Sequence, residues 1–145
     1  MKTILVPVDF SDVTSALLET AMVQAKAFSA KIILLHVAAP EPEFIGYEPG
    51  PQSVRDAVAR QLSSEHKETQ KLQQQLTNEG FDTTALVIQG YPAQSILAEA
   101  EKLHADLIIM GSHGHGALRH LLVGSVTEGV MRHTTCSVMV VPHRA

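Results

Sequence analysis

Tryptophan is absent from this chain of 145 residues, and aromatic side chains make up only 4% of it. The core must therefore be built from Val, Ile, Leu, Ala and Met, an aliphatic bias that suits a parallel sheet covered by helices. Cysteine is almost absent as well. Cys136 stands alone, which excludes an intramolecular disulfide and a C-x-x-C redox pair and is what a reducing compartment permits. Positive charge is in short supply, with 11 Lys and Arg against 15 Asp and Glu and a net charge of -4. That leaves little for the basic face of a general nucleic-acid binder, and an anionic ligand would need local donors to hold it. Long hydrophobic runs are missing too. The opening "MKTILVPVDF" is broken by Pro7 and Asp9, so it is no signal peptide, and no segment approaches the roughly 18 apolar residues needed to span a bilayer. The expectation is a cytoplasmic protein with neither nucleic acid nor membrane as partner.

What is present has the balance of one globular domain, 45% hydrophobic and 18% charged, long enough to bury a core without staples. Five aliphatic runs stand out: "TILVPV" (3–8), "KIILLHV" (31–37), "TTALVIQ" (83–89), "DLIIMG" (106–111) and "SVMVVP" (137–142). They lack strict polar alternation, which argues for strands buried on both faces. Helical periods lie between them. In 15–29, Leu18, Ala21, Met22, Ala25 and Phe28 share a face; in 92–103, Pro92 opens the first turn and Ala93, Ile96, Leu97, Ala100 and Leu103 form the stripe. The longest helix runs from about Ser53 to Glu79. Its stripe of Val54, Val58, Leu62, Leu72 and Leu76 is interrupted by Glu65, His66 and Thr69, and Gly80 follows as a C-terminal cap. Residues 39–52 hold four of the seven prolines and read as a loop and candidate flap. Strands alternating with helices imply a doubly wound parallel sheet with right-handed crossovers. Ligands of such sheets bind beyond the carboxyl ends of the strands, where strand order reverses.

One of those strand ends runs into "MGSHGHGALRHLLVGS" (110–125), four glycines and three histidines in sixteen positions. A histidine-rich metal site and a glycine loop around a phosphate are both conceivable. The metal reading finds no C-x-x-C and no H-E-x-x-H to support it. Two phosphate templates fail as well. A Walker A loop starting at Gly111 would need Lys and Ser or Thr where Ala117 and Leu118 stand, and a dinucleotide fingerprint starting at Gly114 meets Arg119 where its last glycine belongs. What remains is Gly111-x-x-Gly114, nine residues, then Gly124-Ser125 opening a helix. Gly111 and Gly114 would let backbone approach a ligand closely. Free N–H groups of Ser125, Val126 and Thr127 at a helix start would make an anion site, with the hydroxyls of Ser125 and Thr127 as further donors.

With "ILVPVDFSD", "LLHV", "GYPAQSIL", "ADLIIMGSHGHG" and "GSVTEGVMRHTTCSVMVV", the chain resembles the nucleotide-binding branch of the universal stress protein family. The resemblance implies one domain over 1–145, a five-stranded parallel sheet of order 3-2-1-4-5, and an adenine nucleotide (ATP, ADP or AMP, with or without Mg²⁺) as ligand. Carried over residue by residue, Pro7, Val8 and Asp9 would line the adenosine, with Asp9 accepting from ribose hydroxyls. Val37 would meet the adenine through its backbone, with Met110 close by. Gly111, His113 and Gly114 would contact ribose and phosphate, and Gly124, Ser125, Val126 and Thr127 would hold the phosphates. The resemblance also implies a homodimer through the last strand, 137–141. Thr135 and Ser137 depart from the family where prolines are frequent, flanking Cys136.

Each of these residues has a plainer use. Asp9 lies at the start of the first helix with Ser11 and Asp12, and Val37 and Met110 are core residues first. His36 reads as a satisfied core histidine and Cys136 as a small apolar residue. The function expected is a regulatory, nucleotide-sensing module. The rival readings are a slow ATPase or self-phosphorylating enzyme and a nucleotide-free dimeric interaction module. Phosphoryl transfer needs a metal-binding carboxylate, a base and a charge clamp. Asp9 and Arg119 do not complete that set, and no catalytic residue is assigned.

Overall fold

The computed structural model describes residues 1–40, 50–113 and 123–143. Strands form where the aliphatic runs lie: β1 (Thr3–Pro7), β2 (Lys31–Ala38), β3 (Thr83–Gln89), β4 (Leu107–Gly111) and β5 (Ser137–Val141). Between them run α1 (Thr14–Phe28), α2 (Gln52–Asn78), α3 (Pro92–Lys102) and α4 (Ser125–His133). All pairings are parallel and the sheet order is β3-β2-β1-β4-β5.

Side chains of the strands alternate between two cores, as a sheet covered on both faces requires. Ile4 and Val6 of β1, Ile32 and Leu34 of β2, and Leu107 and Ile109 of β4 pack with Leu17, Leu18, Ala21 and Ala25 of α1 and Leu76 of α2. Leu5, Ile33, Leu35, Ile108 and Met110 face the other way, onto Ile96 and Ala100 of α3 and Val130 of α4. The three central strands are almost wholly buried, whereas β3 and β5 are only half-buried because each forms an edge.

Two helix readings need correction. Phe28 does not belong to the buried face of α1: it is 51% exposed, because α1 turns away at once through Ser29 in the left-handed region (φ 54). Leu17 takes an inward place beside Leu18 instead. In α2 the polar residues do not interrupt the stripe; two of them are part of it. Thr69 is fully buried with its hydroxyl donating to Glu65 O at 2.7 Å, and Glu65 turns inward as well, while His66 is exposed. Val54 is exposed, so the buried stripe begins lower, at Val58. The cap falls as expected. Gly80 (φ 91) donates to Thr77 O at 3.0 Å and Phe81 N–H to Leu76 O at 3.1 Å, the paired bonds of a Schellman ending. The proline-rich loop is shorter than expected, since Gln52 already belongs to α2, and its residues 41–49 lie outside the described residues. No helix among the described residues is long and apolar enough to cross a membrane.

Candidate functional site

The crevice begins with a missing hydrogen. Hydrogen bonds along β1 alternate in direction: Lys31 N–H reaches Lys2 O and Val8 N–H reaches Leu35 O on the β2 side, whereas Asp106 N–H reaches Thr3 O on the β4 side. Pro7 falls in the set that faces β4, and proline has no N–H to give. Pairing of β1 with β2 runs on to Pro7 and Leu35, but its register with β4 ends at Leu5 and Ile108. Beyond that rung the halves of the sheet part. This is the switch point of the strand order, where a doubly wound sheet takes its ligands.

On the β1 side, Asp9 Oδ1 accepts the N–H of Ser11 at 3.0 Å, an Asx turn in which Phe10 lies at positive φ (61). Asp9 therefore supports its own turn and not the start of α1, whose N-cap Val13 gives no side-chain bond. Behind the turn, His36 Nδ1 donates to Val8 O at 2.8 Å, and Phe10 lies against its ring with centroids 4.5 Å apart. His36 is buried.

On the β4 side the chain is held from several directions. Ser112 N–H donates to Val141 O at 2.9 Å. Its buried hydroxyl accepts from His143 N–H at 3.0 Å and lies 3.1 Å from His113 Nδ1. Its carbonyl receives Gly124 N–H at 2.6 Å. That last bond fixes the start of α4 beside the end of β4. The helical ladder of α4 begins with Glu128 N–H to Gly124 O at 2.9 Å, so the amides of Ser125, Val126 and Thr127 all lie ahead of the first helical bond. Ser125 is exposed. Thr127 is not: its hydroxyl donates to Gly111 O at 2.7 Å, so that proton clamps α4 to β4 instead of pointing outward.

The glycines have different reasons. A Cβ on Gly111 would come within 2.8 Å of Val13 Cγ1, so α1 packing requires this glycine before any ligand does. A Cβ on Gly124 would stand 3.3 Å from Ser112 O, against the carbonyl that anchors it. Gly114, Arg119, His115 and His120 lie outside the described residues. Among the described residues no group of three or more His, Cys, Asp or Glu is placed to hold a metal.

The structure thus brings Pro7, Val8 and Asp9 to one side of the crevice, and Gly111, His113, Gly124, Ser125, Val126 and Thr127 to the other. Val37 and Met110 both belong to the core on the α3–α4 face of the sheet. Sequence reasoning missed Ser112, the junction of three segments, for which a small hydroxyl residue next to Gly111 was the sole signal. It also gave Pro7 no reason of its own.

The sequence model of the universal stress protein family matches residues 1–142. A universal stress protein of Thermus aquaticus is 34% identical over 140 residues, covering 97% of this chain and 98% of that one. The solved structure of MJ0577 from Methanocaldococcus jannaschii superposes with a TM-score of 0.76 at 31% identity, covering 99% and 97% of the two chains. The fold is shared with a universal stress protein in complex with cAMP (TM-score 0.65, 24% identity, 97% and 96% covered). It is shared too with one from Archaeoglobus fulgidus in complex with dAMP (0.67, 17%, 97% and 97%). On the match of the family model and of these relatives, the chain belongs to the universal stress protein family.

Proposed function

We propose that this protein binds an adenine nucleotide in the crevice between β1 and β4 and acts as a regulatory module in a stress response. The observation that carries the reading is the bond from Gly124 N–H to Ser112 O, which sets the start of α4 at the switch point. Three leading amides and the positive end of the helix dipole there suit a phosphate without any cluster of lysines. Asp9 would take the ribose hydroxyls, Val37 and Met110 would flank the base, and Gly111, His113 and Gly114 would lie along ribose and phosphate. Ser125, Val126 and Thr127 would donate through their backbone amides. The cAMP and dAMP complexes of proteins with the same fold support the class of ligand. The exposed edge of β5 (Ser137–Val141) is the face we assign to a homodimer, and the cytoplasm its setting.

The test is calorimetric titration with AMP, ADP, ATP and cAMP, with and without Mg²⁺, on the natural chain and on Ser125→Glu. A carboxylate about 5 Å from a phosphate repels it by about 0.8 kcal/mol in water and about 3 kcal/mol at an effective dielectric near 20, so affinity should fall about 4- to 200-fold. Folding should hardly change. An acid in the first turn of α4 gains about 0.3–1 kcal/mol from the dipole, and its repulsion from Glu128 takes back a few tenths. Equal affinity in the two proteins would move the phosphates elsewhere, and no binding to the folded natural chain would overturn the reading.

A further inference from the structure

Nδ1 of His36 lies 2.8 Å from the carbonyl oxygen of Val8, and a carbonyl only accepts, so Nδ1 carries a hydrogen. A neutral imidazole then has a bare Nε2. That atom is buried without a hydrogen bond of good angle and lies 3.3 Å from Glu65 Oε2 of α2. A bare nitrogen and a carboxylate oxygen that close repel. A proton on either one turns the repulsion into attraction. Glu65 is itself held in place: its other oxygen, Oε1, accepts from Gln61 Nε2 at 3.1 Å, and one turn on the buried Thr69 hydroxyl bonds the Glu65 carbonyl. Among the described residues, the other groups set against His36 carry no charge. They are the Phe10 ring, the Val8 carbonyl and, in register on β3, Val87.

We propose that His36 is a positioning residue for the nucleotide site, operated by the proton it shares with Glu65. The proposal rests on the adenine-nucleotide reading above. With the proton in place, α2, His36 and Val8 are joined in one line, and the Val8–Asp9–Phe10 turn is set for the ribose. When the proton leaves to solvent, the bare nitrogen is driven from the carboxylate. The ring or α2 must shift, and the turn loses its support. The gap from Val8 to His36 to Glu65 spans most of the first half of the chain, so α2 acquires a hold on a site it does not line.

The experiment titrates AMP at about pH 6 and about pH 8, in the natural chain, in Glu65→Gln and in His36→Asn. Glutamine can keep its oxygen on Gln61 and donate its amide to the bare Nε2, so no proton is needed. Asparagine can keep the bond to Val8 O but does not reach Glu65. The natural chain should bind AMP about tenfold more weakly at the higher pH, a share of one charge-assisted hydrogen bond. Both variants should keep only the pH dependence that AMP and the rest of the site, His113 included, contribute to all three proteins. Equal pH dependence in the natural chain and Glu65→Gln overturns the proposal. If AMP does not bind at all, the nucleotide reading fails, and the latch is judged without ligand. The amide of Ser11, bonded to Asp9, should then titrate in step with His36 by NMR in the natural chain and stay still in Glu65→Gln; movement in neither protein overturns it.

Discussion

Thr127→Val separates a structural hydroxyl from a ligand-binding one. Thr127 is 3% exposed, and its Oγ1 reaches Gly111 O at 2.7 Å. Valine keeps the shape and removes the donor. The bond itself is worth about 1 kcal/mol net, and a buried carbonyl left short of its partner costs about 1–3 kcal/mol. The ligand-free protein should therefore lose about 1–3 kcal/mol. At about 2–4 °C per kcal/mol for a chain of this size, Tm should fall by roughly 2–12 °C. Urea denaturation followed by circular dichroism gives the free energy, and calorimetry gives Tm. The sign of the change decides the question. Were the hydroxyl aimed at a phosphate and unpaired in the free protein, burying a methyl in its place would leave stability unchanged or raise it, and only nucleotide affinity would suffer. An unaltered or increased stability in Thr127→Val would refute the clamp between α4 and β4.

Three further outcomes follow from the packing and charge. Leu76, fully buried between α2 and the sheet, should cost about 2–5 kcal/mol when cut to alanine, read by chemical denaturation. Gly80→Ala has open space around the new Cβ but must hold φ at 91, so it should lose about 1–2 kcal/mol from backbone conformation alone; equal stability would mean that the Schellman ending relaxes. At the other end of the sheet, Asp106 Oδ2 accepts from Lys2 N–H at 2.7 Å and Thr3 N–H at 2.9 Å, and these bonds, Lys2 first, hold its carboxyl below the usual range. A carboxyl depressed on folding adds stability above its unfolded value and loses it as pH falls through the folded one. Denaturation curves below about pH 4 should show a drop that Asp106→Asn lacks.

The strands were legible because burial on both faces writes itself as unbroken aliphatic runs, and "IILL" or "LIIM" admits little else. The edge positions of β3 and β5 were not legible from those runs. "SVMVV" is as apolar as the central strands and "TTALVIQ" only somewhat less, and only the family resemblance supplied the order. Phe28 was misplaced because periodicity marks a helix face without saying where the sheet beneath it ends. Glu65 and Thr69 read as breaks because polar residues on a stripe usually are; the partner beside Glu65, His36, lies 29 positions earlier, and no local pattern links them. In the candidate site the spacing of Gly111 and Gly124 located the right strand end and helix start. It did not reveal that Val13 fills the space Gly111 leaves, or that Thr127 spends its hydroxyl on the backbone.

The placement of β1 has a consequence for assembly. Its neighbour β2 follows soon after, but the register of Ile4 with Leu107 joins segments 103 positions apart. The sheet can grow outward from β1 through β2 to β3 by successive crossovers, while β4 and β5 attach only when most of the chain is available. Such distant pairing is slow to form, because the loop it closes must be ordered before any contact rewards it. The crevice opened by Pro7 lies along this late seam. A nucleotide touching Asp9 on one bank and α4 on the other would act as a suture, absent from any half-made chain and tightening only the finished one.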